Sequence, residues 1–437
     1  MSNPPTPPLL PDAALPAAAI PDLFHRYLDV RMRSARGVGN GSQFLFEVDG
    51  DVDTPALEGR LEALQQRLPM LSAGLGPWPS RRWTVQDPAT VSVREESLEG
   101  ESEDTVNDWF ARWFGEPFMT PERPSLELVL ARTPGAARSV LLVRWLHLLS
   151  DAPGMDLLLR LLDGDDPARF KLEQQPAALS RRVRGDRSAL QRAVGVHNLA
   201  LRHLARSIPP PLQAKVDRRA RQTARICTLS REETTALWQR ARELGGLDRN
   251  TFLLGALARA CVRAWSPASW RSLRIPVPIS LRPPAWRGPV LGNWFTMVLV
   301  QVPVRSLGSL ESAVQACRTA WRAALERGED AATLALMGPA ATLPPWLARF
   351  FLDGPRLQDG ATVNTSYVEL GAGKSGTFLG LPLRRAVIAS SILAPPGLAG
   401  VFSGCAGRLS VVVPGQEGPS GDALHRELLA LLRGEAA

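Results

Sequence analysis

The sequence predicts an α/β protein built in two halves, and three observations carry that expectation. Strand-like and helix-like apolar patterns alternate along the chain. Its 437 residues exceed one ordinary core and suit two. A stretch of different texture, from Arg181 to Arg225, separates the patterned regions.

Residues 1–22, MSNPPTPPLLPDAALPAAAIPD, read as a flexible, proline-rich lead-in without the positive start of a signal peptide. The first half covers 23–180. Phe44, Phe46 and Val48 alternate with polar neighbours, as in a half-buried strand. Thr54 can cap the helix that follows. Pro55 suits its first turn, and Leu57, Leu61, Leu64 and Leu68 form its apolar stripe. Leu126 to Ala131 reads as a strand. Ser139 to Leu146, SVLLVRWL, reads as a strand buried on both faces. His147, a short turn and an amphipathic helix from about Met155 to Leu162 come next.

The segment 181–225 is the expected crossover. Twelve Lys or Arg stand there against Asp186 and Asp217, a local charge of +10 beside +8 for the whole chain. Val194, Val196, Leu199, Leu201 and Leu204 suggest a basic amphipathic helix, ended by Pro209, Pro210 and Pro211. Solvated helix faces explain it, and so does docking of an anionic partner such as an acidic lipid surface.

The second half, 226–437, opens with a strand near Cys227. Ser230 and Glu233 form a capping box for a helix ending at Gly245-Gly246. Asn250 to Trp265 is an apolar helix, Leu273 to Leu281 is extended, Phe295 to Val304 a strand and Leu310 to Arg327 a helix. Strand patterns return at 361–368, 385–392 and 408–413, and a helix from about Asp422 closes the chain.

Several function classes fall away. The basic balance is almost all Arg, with Lys only at Lys171, Lys215 and Lys374, which reads as coding bias. No nucleic-acid-binding signature accompanies it. Cys227, Cys261, Cys317 and Cys405 lie far apart without a CxxC, so neither a disulfide framework nor a metal site is expected. No apolar run reaches the roughly 18 residues of a membrane span. The expected location is cytoplasmic, with peripheral contact at a membrane as an option. Gly371-Ala372-Gly373-Lys374-Ser375 imitates the end of a P-loop, but Val368 stands where the first Gly belongs and no apolar helix follows.

The chain has five histidines, His25, His147, His197, His203 and His425. His147 alone falls at the end of a buried strand, where a turn can present it to a cleft. Asp151 follows four residues on. A neutral imidazole is a competent base for an alcohol or amine attacking a thioester. On spacing alone, a packed histidine followed by an Asp that caps the next helix is the plainer reading.

The surrounding words add to this. LHLLSDAPGMDLL resembles the HHxxxDG motif of the condensation-domain and chloramphenicol acetyltransferase superfamily, with His147 on the second His and Asp151 on the Asp. GEPFMTPERPSLELVLA precedes it as in the family. RNTFLLGALARA, PVPISLRPP with LGNWF, and ATVNTSY are similar, in that order, to stretches of bacterial wax ester synthase/diacylglycerol acyltransferases. The likeness spans roughly residues 40 to 415. Leu146 replaces the motif's first His and Ala152 its Gly, with Gly154 two places on.

The resemblance implies two chloramphenicol-acetyltransferase-like subdomains forming a pseudo-dimer around a central channel. It implies an acyltransferase moving an acyl group from a thioester, acyl-CoA first, to a hydroxyl and so forming an ester. The alternatives are a carrier-protein thioester in natural-product biosynthesis, with an alcohol or amine acceptor, or a docking member without catalysis. His147 would be the base. Asp151 would pair with Arg282 in ISLRPP. Gly154, Asn293, Asn364 and Ser366 would line the channel. No cofactor beyond the thioester substrate and no metal is expected.

Overall fold

The computed structural model describes residues 20–36, 39–77, 80, 82–85, 91–117, 120–135, 137–166, 221–245, 248–282, 290–342, 344, 361–392 and 397–435. Most of the expected lead-in and residues 181–220 of the expected crossover lie outside them.

The chain enters through helix α1, Ile20–Arg36. Residues 20–22 therefore belong to a helix, not to the lead-in. Strand β1, Gly41–Asp49, leads to α2, Thr54–Arg67. The cap of α2 is Asp53, whose carboxylate accepts from the Ala56 amide, and Thr54 is the first helical residue. Short strands β2, Ala73–Leu75, and β3, Trp83–Val85, pair as a hairpin. Then come β4, Val93–Ser97, α3, Glu103–Gly115, β5, Leu126–Arg132, β6, Arg138–Leu146, and α4, Ala152–Asp163.

Past 166 the described chain resumes with β7, Gln222–Thr228, so residues 222–225 are strand rather than crossover. Helices α5, Arg231–Glu243, and α6, Arg249–Trp265, follow. The expected capping box of Ser230 and Glu233 opens α5. The hairpin β8, Ser272–Ser280, with β9, Phe295–Pro303, precedes α7, Leu310–Glu326, and α8, Glu329–Thr342. The remainder is β10, Asn364–Glu369, β11, Thr377–Phe378, β12, Leu381–Ser390, β13, Ala399–Cys405, β14, Arg408–Gln416, and α9, Pro419–Arg433.

Two mixed sheets organise these elements. One runs β11-β12-β1-β6-β5-β4 and the other β10-β13-β14-β7. Strand β12, from the second half of the sequence, pairs antiparallel with β1 and so closes the first half's sheet. Strand β1 is buried on both faces rather than on one, with α3 against its polar face. Its polar face is neutralised inside: Glu47 pairs with Arg385 at 2.6 Å, and the Gln43 amide donates to the Phe110 carbonyl. Two main cores form, and the first also takes in Val401 and Val412 of the second sheet. Phe44, Phe46 and Trp145 lie in one, while Phe252, Val300 and Phe402 lie in the other. In the second core, α6 lies so close to α7 that a Cβ on Gly255 would sit 2.7 Å from the Val314 Cα.

The halves are stitched together where the expected site residues fall. Ser150 bridges Gly292 in parallel, and the Gly292 amide donates to the Leu149 carbonyl at 2.9 Å. Helix α4 lies against this seam. It was expected to be amphipathic, yet nearly its whole surface is buried, because both halves cover it.

Candidate active site

Strand β6 ends at Leu146, which packs into a small apolar cluster with Leu23, Leu75 and Trp83. The turn after it carries His147, half-buried, whose backbone N–H donates to the Asn40 carbonyl at 2.8 Å. Asp151 ends the turn and performs three tasks. Its Oδ1 accepts from the Gly154 amide at 2.8 Å, capping α4. The same oxygen accepts from Arg282 Nη2 at 2.9 Å. Its Oδ2 accepts from the Trp294 amide at 2.7 Å. Capping and pairing with Arg282 are therefore both present.

Arg282 Nη2 also donates to the Gly292 carbonyl at 2.9 Å. The Asp151 and Arg282 side chains are 5% and 4% exposed, so the pair is held in a low-dielectric seam. Gly154 faces this pair. A Cβ there would come within 2.2 Å of Ser150 Oγ, 2.5 Å of Arg282 Nη2 and 2.6 Å of the Val290 carbonyl. The close approach that demands glycine thus sits at Gly154, while Ala152 is the first residue of α4.

Asn293 decides the state of His147. Its Nδ2 donates to the His147 carbonyl at 2.7 Å and to Asp22 Oδ1 at 2.9 Å, both acceptors only. Its Oδ1 therefore faces His147 Nδ1, at 3.0 Å, and must accept from it. With the proton on Nδ1, a neutral His147 carries its lone pair on Nε2. Burial pushes the imidazole below its ordinary value, against the opposing Asp151 charge and the Asn293 hydrogen bond. The ring is thereby a neutral acceptor near pH 7.

Two residues that the sequence reading passed over complete the site, both from α1. Asp22 Oδ1 accepts from both the Asn293 amide N–H, at 3.0 Å, and its side chain. His25 lies flat on His147, ring centroids 4.0 Å apart and planes 6° from parallel. Phe295, at the start of β9, flanks both rings. Asp22, His25, Arg26 and Asp29 are all buried. Their i, i+3, i+4, i+7 spacing, a polar stripe at helical period, is the signal that could have found them.

Asn364 and Ser366 belong to a different element from this cluster. They are half-buried on β10, in the other sheet, and among the described residues their side chains make no hydrogen bond to His147, Asp151, Arg282 or Asn293. The P-loop-like segment also has an internal explanation. Its Gly371 and Ala372 amides donate to the Asp156 carboxylate of α4, at 2.9 Å each to Oδ1, so the protein fills that anion site itself.

No protein-family model matches the chain, and no curated protein matches it in sequence. Solved structures do match over nearly the full length. The first condensation domain of the CDA synthetase aligns with TM-score 0.69 and 18% identity, covering 98% of each chain. The trichothecene 15-O-acetyltransferase of Fusarium sporotrichioides aligns with TM-score 0.67 and 13% identity, covering 99% of this chain and 100% of that one. The starter condensation domain of rhizomide synthetase, solved with C8-CoA, aligns with TM-score 0.63 and 15% identity, covering 96% and 94%. The chain has the condensation-domain fold of two chloramphenicol-acetyltransferase-like subdomains.

Proposed function

We propose that this chain is an acyltransferase that moves an acyl group from a thioester to a hydroxyl, with His147 as the base. The carrying observation is the hydrogen bond between His147 Nδ1 and Asn293 Oδ1, which leaves Nε2 free to take a proton. In this reading Nε2 takes the proton of the acceptor hydroxyl as its oxygen attacks the thioester carbonyl. The tetrahedral intermediate then expels the thiolate, and the proton passes from the imidazolium to sulfur. The thioester brings its own leaving group, so the step needs no redox partner. Asp151 and Arg282 act on architecture: they hold the turn that aims His147.

Acyl-CoA is the proposed donor. Support comes from the rhizomide synthetase domain solved with C8-CoA, and the O-acetyltransferase of the same fold supports an oxygen acceptor. The basic stretch from Arg181 to Arg225 offers charge for the CoA phosphates. Long-chain alcohols and diacylglycerol, the acceptors of wax ester synthase/diacylglycerol acyltransferases, are the first acceptor class to test. A carrier-protein thioester is a second reading of the donor, favoured by the likeness to condensation domains. Among the described residues, no helix is long and apolar enough to cross a membrane.

The test is thiol release from a series of acyl-CoAs and acyl-carrier thioesters, each with a panel of alcohols and amines. Acceptor-dependent release with an alcohol supports ester formation. Release with amines only would replace the hydroxyl acceptor, and none with any donor would leave the docking member as the reading.

A further inference from the structure

We infer that His25 is a second substrate-contacting residue of this site, donating its Nε2–H to the carbonyl oxygen of the acyl thioester. The inference rests on the acyl-transfer reading of His147 and deepens it.

The tautomer of His25 follows from its neighbours. Asn40 Nδ2 lies 2.9 Å from His25 Nδ1 and also donates to the His25 backbone carbonyl at 3.4 Å. A carbonyl oxygen only accepts, so the Asn40 atom is the amide nitrogen, and His25 Nδ1 must accept from it. The proton of a neutral His25 is then on Nε2. Neutrality has two causes: the ring is buried, and it lies against His147, which push its protonation well below the ordinary histidine range. The stacked imidazoles are thus complementary. His147 offers a lone pair at Nε2 and His25 a hydrogen at Nε2.

Among the described residues that hydrogen has no acceptor. His25 is 5% exposed, and its Nε2 is closed off from solvent with no hydrogen-bond partner. A buried donor without an acceptor is disfavoured, and a water, an ion or a ligand is what completes such a group. The acceptor chemistry is set by place. An alcohol deprotonated at His147 Nε2 attacks a carbonyl carbon beside it. When the C–O bond forms, the carbonyl π pair moves onto the oxygen. A ring stacked 4.0 Å from the base is within reach of that oxygen. A preorganised neutral donor aimed at a developing oxyanion stabilises the transition state more than the ground state. The oxyanion then returns its pair as the thiolate leaves, and His25 keeps its proton throughout.

The site residues around the pair support this division. Asp22, one turn before His25 on α1, serves Asn293 and through it His147. Asn40 serves both rings, accepting from the His147 backbone and donating to His25 Nδ1. Each imidazole therefore has its Nδ1 fixed by an amide side chain.

The experiment compares the purified wild type with His147→Ala, His25→Phe and His25→Gln, using octanoyl-CoA and primary alcohols and following thiol release. Phe keeps a ring on His147 without the N–H, and Gln restores a donor. The expected result is a fall in kcat of about 10²–10³-fold for His25→Phe, the usual cost of one oxyanion donor, with the KM for donor changed little. His25→Gln should recover at least part of it. Thermal melts check that each variant is folded. Imidazole ¹⁵N–¹H correlation spectra of the wild type should place the His25 proton on Nε2. Wild-type turnover with an inert His147→Ala and an unimpaired His25→Phe would overturn this inference alone, as would a proton on His25 Nδ1. No turnover in the wild type would remove the transferase reading and this inference together.

Discussion

Arg282 Nη2 meets Asp151 Oδ1 at 2.9 Å across the seam between the halves, and neither side chain reaches much water. The pair joins the turn carrying His147 to the segment carrying Asn293. Removing one partner leaves a buried charge unmatched. Asp151→Asn and Arg282→Ala should each lower stability by about 3–5 kcal/mol. Urea unfolding of the two variants checks this; a midpoint unchanged from wild type would mean that the pair holds nothing together.

Gly154 should tolerate no side chain. Serine 150 could rotate away from an added methyl, but the Val290 backbone carbonyl, 2.6 Å from a Cβ at this position, could not move cheaply. Gly154→Ala should cost roughly 1–3 kcal/mol from overpacking and shift Arg282. Adding Ser150→Ala should relieve only part of that loss. Full recovery in the double variant would put the crowding at Ser150 instead.

Asp22 should affect rate by way of the tautomer. Asp22→Asn lets the Asn293 amide turn over, so that Nδ2 faces His147 Nδ1 and the proton moves to Nε2. The expected loss in kcat is about 10- to 100-fold, below the roughly 10⁴ loss caused by a fully mis-set tautomer in a serine protease. The imidazole ¹⁵N spectrum of His147 should show the mixture. A slow enzyme with His147 still protonated only at Nδ1 would contradict the route through Asn293.

Asp156 makes stability depend on pH. Burial raises its carboxyl from 3.8 to about 6, against the Ala372 and Gly371 amides that favour the anion. The folded chain thus binds this proton more tightly than the unfolded one. Its contribution is fully present below the ordinary value and is lost as pH rises through about 6. The loss amounts to about 3 kcal/mol at most. Asp156→Asn removes the titration, so the variant should gain on the wild type by that amount between about pH 4 and pH 7. A stability difference constant with pH would contradict the raised value.

The sequence was most legible where apolar period and cap chemistry agree. Strand β6, the α5 capping box and the apolar helix α6 follow from local pattern alone. Strand β1 was read as half-buried because its alternate residues are polar. A partner 338 positions away, Arg385, neutralises Glu47 and allows both faces to be covered. Such pairing leaves no local trace. Helix α1 was not read, although Ile20, Leu23, Phe24, Tyr27 and Leu28 stand at helical spacing; they fall across the end of the proline-rich stretch, and Asp22, His25, Arg26 and Asp29 are buried beside them. His147, Asp151, Arg282, Asn293 and Gly154 were named from motif words, and they meet in space. Asn364 and Ser366, named the same way, lie on β10 of the four-stranded sheet.

The central claim is that His147 takes the proton of the acceptor. Its most direct test is thiol release by wild type and His147→Ala, each measured across pH with an acyl-CoA and an alcohol. The account predicts a rate lower by about two to four orders of magnitude in a variant that melts like the wild type. It also predicts that the acid limb of the wild-type kcat/KM lies below 6.5, because burial depresses the imidazole. A folded His147→Ala that turns over at the wild-type rate would contradict it.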